Sequence, residues 1–228
     1  MSNQVPSLKS QVQSPFVSLR RHDLQQFIAR VVHQGRGYQS TVYLVEKDGQ
    51  RAAVKDFINT PLLFRLFVAP LLLKREIKAL RHLAGVPGVP QFYGRIDRYA
   101  FAMQYVEGTP IATFSLGELP PEVFPRVQRV IDAIHAHGVA HCDLKRRSNL
   151  ILTPEGEVFL IDFAAAVIGE RPLHPFQNWL QKQMVEVDNK ALPRLKKFVA
   201  PELLTEEDRH KLAHPTFLEK WARRLLNR

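Results

Sequence analysis

One cysteine, Cys142, among 228 residues excludes a disulfide-stapled scaffold. Together with the lack of an apolar leader near Met1, it makes a reducing compartment and a cytoplasmic protein the expectation. No stretch reads as a membrane span. The longest apolar run, TPLLFRLFVAPLLLK from Thr60, is interrupted by Arg65 and Pro70 and is too short to cross a bilayer. Internal repeats are lacking, and so is any helix-turn-helix, finger or RNA-binding signature. What is present narrows the field further. Apolar residues make up 45% of the chain, enough to bury a full core as one domain or two small lobes around a cleft, which removes the disordered and collagenous classes. A formal net charge of +10 predicts attraction to something anionic: nucleotide, nucleic acid, phosphorylated glycolipid or membrane surface. Charge alone does not choose among them.

Residues 1–15 are polar, with Ser, Gln and Pro and no period, and are expected to form a mobile tail. Residues 16–228 are read as a single domain whose first part ends near 104 and whose second begins near 105. FIARVVHQ, TVYLVE and RAAVKDF read as strands of an antiparallel meander, the last two joined by the turn Lys47-Asp48-Gly49-Gln50. LLLKREIKALRHLA has helical spacing at Leu73, Ile77, Leu80 and Leu83. QFYGRI and YAFAMQY add two strands. The Pro-rich GELPPEVFP then opens a helix with an apolar stripe at Val123, Val127, Val130, Ile131 and Ile134, which stops at Gly138. NLILT and EVFLID form a hairpin through Pro154-Glu155-Gly156, and the remainder reads as helical and basic. The class is α+β: a small antiparallel sheet with one inserted helix, then a helical second half, with a cleft near Gln104 to Gly108 as the expected seat of chemistry.

Several residues in this frame carry chemistry. Gly35 and Gly37 lie between two strands in GRGYQSTVY, where a bare backbone can approach phosphate oxygens. Ser40 stands where a third glycine would be expected, and the strand-loop-strand setting excludes a dinucleotide fold, whose loop opens a helix. Lys55 sits in the apolar AAVKDF, and Glu76, early in the next helix, is placed to compensate an inward-pointing ammonium. In HCDLKRRSNLILTPEGEVFLIDF, Asp143 and Asp162 bracket Asn149, giving a base for a hydroxyl and oxygen ligands for a hard divalent cation. Lys145 can meet charge on a transferring phosphoryl group. Each feature has a plainer reading as a turn, a solvated lysine, a surface glutamate or a capping aspartate. Those readings explain each residue but not the set. His135, His137 and His141 are read as packing and loop histidines rather than a zinc site.

Gly35-x-Gly37-x-x-Ser40-x-Val42, Ala53-Val54-Lys55, Glu76, His141-Cys142-Asp143 and Asp162-Phe163-Ala164 resemble, in order and spacing, the protein-kinase-like superfamily. The resemblance covers Phe27 to about Ala166 and implies a bilobal fold, a small antiparallel-sheet lobe above a truncated helical one, that uses ATP and magnesium. It implies that Gly35 and Gly37 cover the phosphates, Lys55 holds the α and β phosphates, and Glu76 orients Lys55. Asp143 is then the base, and Asn149 and Asp162 hold the metal. MQYVEG resembles the hinge that receives adenine, with Met103 behind it, Gln104 and Tyr105 along it, and Val42 and Ala53 lining the slot.

The departures are Cys142 in place of the usual arginine, Ala164 in place of glycine, and a catalytic loop one residue longer, which makes Ser148 a substitute for Asn149 as ligand. The chain resembles small bacterial kinases of lipopolysaccharide core sugars, including Kdo kinases, most, and compact RIO-type serine/threonine kinases next. That implies an anionic glycolipid or a protein as acceptor, with a nucleotide-binding pseudokinase scaffold as the alternative; a nucleic-acid-binding module, suggested only by the charge, is a distant third. The apolar segment Pro61 to Leu73 leaves two expectations open: a peripheral contact with the inner face of a membrane, or packing under the small lobe or in a dimer contact.

Overall fold

The computed structural model describes residues 14–169 and 175–216. The expected tail therefore lies almost wholly outside the described residues. Helix α1 (Arg21–Phe27) leads into β1 (Ile28–His33), β2 (Thr41–Lys47) and β3 (Gln50–Asp56). Strand β1 starts one residue later than the sequence indicates, because Phe27 closes α1. The β2-β3 turn puts Asp48 at φ 50° and Gly49 at φ 70°, the doubly left-handed geometry that two-residue hairpins favour. Two helices follow where one is expected, α2 (Leu62–Phe67) and α3 (Ala69–His82), and then β4 (Phe92–Arg95) and β5 (Ala100–Gln104) complete a sheet of order β1-β2-β3-β5-β4.

The second half opens with β6 (Thr109–Pro110) and α4 (Val123–Ala136), whose five predicted stripe residues are all buried. Gly138, at φ 71°, ends that helix as the sequence indicates. Short strands β7 (Val139–Ala140), β8 (Leu150–Leu152), β9 (Val158–Leu160) and β10 (Val167–Ile168) then frame two loops. Helices α5 (Pro175–Asp188), α6 (Ala191–Val199) and α7 (Glu206–Ala213) close the described chain. Thr205 caps α7 through a reciprocal pair with Asp208.

Two apolar clusters sit on opposite faces of the five-stranded sheet. The inner one is continuous from Ala53 and Phe57 through α3 and α4 to Val199, so sheet and helices share one core. The outer one joins Phe16, Leu19 and Leu24 to Val45, Ala52 and Val54. Arg21 holds this N-terminal layer in place by pairing with both Asp56 and Asp97. No helix among the described residues is long and apolar enough to cross a membrane.

Candidate active site

Because β3 is covered on both faces, its alternation decides where Lys55 points. Ala52 and Val54 face the outer cluster, while Ala53 and Phe57 face the inner one, which turns Lys55 inward. It is only 6% exposed. Its Nζ lies 2.8 and 3.1 Å from the two Glu76 carboxylate oxygens and 2.7 Å from Asp162 Oδ1. Glu76 is fully buried and stands in the middle of α3, not early in it, since the helix starts at Ala69. Leu73, Ile77 and Leu80 seat that helix in the core and fix the carboxylate opposite the ammonium. Burial opposes charge on Lys55, but Glu76 and Asp162 more than offset it and raise its pKa. Burial likewise opposes charge on Asp162, yet the Lys55 ammonium holds that carboxyl below its ordinary range. Glu76 is pushed up by burial and pulled back by Lys55.

The loop after β7 is held from below. Cys142 has φ 69° and Asp162 φ 65°, both in the left-handed region that costs a side-chain-bearing residue about 1–3 kcal/mol. Asp188, at the end of α5 and 1% exposed, accepts the backbone N-H groups of His141 at 2.6 Å and Cys142 at 3.0 Å, and lies 3.3 Å from His135 Nε2. This carboxylate fixes the turn that presents Asp143, and sequence reading missed it. Its only signal was one acid closing a helix far along the chain.

The three histidines do separate jobs. His141 sets Nε2 2.9 Å from the Ile161 carbonyl while Nδ1 accepts the Asp143 N-H, and burial keeps its pKa low. His135 meets Asp188, and His137 meets the Ala133 carbonyl on its own helix. Among the described residues, no group of three or more His, Cys, Asp or Glu converges on a metal-sized space.

Asn149 is buried and donates from Nδ2 to the Asp143 carbonyl at 3.1 Å and to Asp143 Oδ2 at 3.4 Å. Ser148 and Lys145 are exposed on the same loop. Arg146 places Nε 3.1 Å from Asp143 Oδ2, a partner the sequence reading did not assign. The donor set suits magnesium: Asp162 offers a charged carboxylate, and Asn149 offers its amide oxygen while its nitrogen is spent on Asp143. Hard oxygen atoms are what that ion takes.

The glycine loop and the slot beneath it complete the site. A Cβ on Gly35 would drive into the Gln39 and Ser40 backbone, and Gly37 sits at φ 58°. Both positions require glycine for the loop to keep this path. The strand register sets Val42 opposite Lys55 and Ala53 opposite Met103, so the residues expected around adenine are neighbours. Gln104 ties its backbone N-H to the Gln91 carbonyl at 2.8 Å, and the Tyr105 hydroxyl accepts from Arg30 at 2.7 Å.

Cys142 offers an experimental handle on the loop. Burial first, and the Asp188 carboxylate second, push its thiol up to about 12. Iodoacetamide should therefore label the native protein at pH 8 at least ~100-fold more slowly than the unfolded chain, since only the thiolate attacks. Comparable rates would show that the loop is not held as described.

The family model of the RIO domain matches residues 51–189, a span that opens in β3 and closes just after Asp188. Curated proteins similar to the chain include a probable bifunctional tRNA threonylcarbamoyladenosine biosynthesis protein of Methanosarcina acetivorans, 32% identical over 57% of this chain and 23% of its own length. Another is serine/threonine-protein kinase PknH of Mycobacterium bovis, 30% identical over 58% of this chain and 23% of its own length. The matched part is thus less than a quarter of either relative. Among solved structures, that of the Rio2 kinase from Chaetomium thermophilum aligns with a TM-score of 0.59 at 16% identity, covering 81% of this chain and 62% of that one. The bilobal kinase-like α+β fold implied by the sequence is the fold of this chain. Of the two compact groups it resembled in sequence, the RIO type is the one these matches support.

Proposed function

This chain belongs to the RIO domain family, and from that premise we propose that it is an ATP-dependent phosphotransferase acting on an alcohol. The observation that carries the reading is the Lys55 ammonium held between Glu76 and Asp162 inside a shared core. A lysine buried this deeply with two carboxylates is costly unless its charge is used. In the proposed reaction Lys55, oriented by Glu76, holds the α and β phosphates under the Gly35-Gly37 loop. Magnesium, held by Asp162 and Asn149, would supply neutralisation of the phosphate charge. Asp143 accepts the acceptor hydroxyl's proton as that oxygen bonds to the γ phosphorus and the bond from phosphorus to the ADP oxygen breaks. Lys145, exposed beside Asp143, meets charge on the group in transit.

For the acceptor we favour a protein Ser or Thr hydroxyl, supported by the family and by a relative named as a serine/threonine-protein kinase. A lipopolysaccharide core sugar is the second reading, supported by the apolar and basic surface around Pro61 to Leu73. Either acceptor would be met in the cytoplasm or at the inner face of the membrane. A scaffold that only binds nucleotide is the contrary reading, opposed by the presence of Lys55, Glu76, Asp143 and Asp162 together.

Magnesium-ATP at about 100 times its dissociation constant should stabilise the fold by roughly 2.7 kcal/mol, read as a rise in melting temperature. No rise with any purine nucleotide plus magnesium would remove the reading. Label from γ-labelled ATP, counted separately in protein and glycolipid fractions, should appear in protein. Label confined to lipid would move the assignment to the second acceptor.

A further inference from the structure

Between Phe57 and Leu83 the chain carries Arg65, Lys74, Arg75, Lys78 and Arg81 against a single acid, Glu76, and Glu76 is buried on Lys55. The surface of this segment therefore carries no negative charge of its own. Its backbone stays helical through the α2-α3 junction: Val68 has φ −99° and ψ −48°, its N-H reaches the Phe64 carbonyl at 2.8 Å, and Leu72 N-H reaches the Val68 carbonyl at 3.1 Å. Residues four apart consequently share a face. Leu63, Phe67 and Leu71 form one such row and are 72%, 68% and 61% exposed, with Leu62 and Val68 beside them also exposed.

Packing of the segment is the work of the other side. Phe64 sets its ring 5.1 Å from Tyr38 and 6.4 Å from Phe57, and Ala69 and Leu73 are buried in the inner core. The outward row contributes nothing to that core. Following the same face beyond Leu71, Lys74 and Arg75 come next, both exposed and about 4–6 Å further along the axis. The surface thus runs from an apolar tip to a basic collar.

We propose that this tip docks on an anionic phospholipid bilayer, with Leu63, Phe67 and Leu71 among the upper acyl carbons and the collar at the lipid phosphates. Charge decides between occupants. A second copy would bring two basic collars and two chains of net charge +10 together, whereas an anionic surface complements both tip and collar. The inference stands independently of the phosphotransfer reading.

Full-length chain should float with vesicles of phosphatidylcholine and phosphatidylglycerol at low salt, far less at high salt, and little with phosphatidylcholine alone. The Leu63→Ser, Phe67→Ser double variant should lose at least ~10-fold in bound fraction with its melting temperature unchanged. As a check that needs no loss of apolar surface, Leu63→Cys carrying an environment-sensitive fluorophore should shift to the blue on anionic vesicles, Cys142 being protected in the native fold. Wild type that stays soluble at low salt, a double variant that binds like wild type, or a fluorophore that stays in water would each overturn the proposal. So would a wild-type dimer that the double variant dissociates.

Discussion

Replacing Lys55 with Met should lower transfer by at least ~100-fold, the scale of removing one preorganised charge-stabilising donor, and should destabilise the fold by about 3–5 kcal/mol. Methionine keeps much of the lysine stem's volume on β3 but removes the charge that sits 2.8 Å from Glu76 and 2.7 Å from Asp162. Glu76, fully buried, is then left without a compensating cation. Burial already pushes its carboxyl up, and with Lys55 gone only the backbone hydrogen bond from Phe163 still opposes that push. The folded state would then hold a proton on Glu76 that the unfolded chain gives up near the ordinary glutamate value. Stability of the variant should accordingly be greater in mild acid and fall as pH rises through and above that value. Adding Glu76→Gln should restore most of the lost stability and remove this pH dependence without restoring transfer. Chemical denaturation of the two variants at acid and neutral pH reads the first effect, and single-turnover kinetics the second. A double variant that regains transfer would mean the pair is structural only.

Why the Lys55–Glu76 pair was legible in the sequence, while Arg21 and Asp188 were not, follows from how far each signal reaches. Turn and strand signals are local: Asp48-Gly49 imposed its own backbone geometry, and β2 and β3 formed where the alternation put them. The helical spacings of α3 and α4 were equally local, and every stripe residue named for them is buried. Helix α1 has one buried apolar residue, Leu24, and so little period to read. It is held by the distant Asp56 and Asp97 through Arg21. Asp188 is the sharper case. Its role depends on α5 passing beneath the loop at His141 and Cys142, a contact between segments that share no pattern. The apolar segment was visible as an excess of hydrophobic residues, but which of them face outward depends on how α2 leans on Tyr38 and Phe57. Phe64, outwardly no different from Phe67 in the sequence, proves to be the one that packs.

Asp143→Asn separates chemistry from binding more cleanly than any other single change. The substitution keeps the shape of the side chain and one oxygen, so the loop, held by Asp188 and by the Asn149 contact to the Asp143 carbonyl, should keep its path. What is lost is the proton acceptor, and with it the ~100- to 10,000-fold that a positioned base contributes. Nucleotide affinity should be unchanged, because Lys55, Asp162 and the glycine loop are untouched. Relief of the Arg146 pair, 3.1 Å from Asp143 Oδ2, involves an exposed guanidinium and should leave stability within about 1 kcal/mol. The decisive measurement is single-turnover transfer from γ-labelled ATP by wild type and Asp143→Asn, with nucleotide binding by each measured in parallel by calorimetry. Rapid transfer by wild type, loss of at least two orders of magnitude in the variant and equal binding by both is the predicted result. Equal label transfer by the two proteins, or nucleotide binding with no transfer by either, would contradict it and leave a nucleotide-binding scaffold in its place.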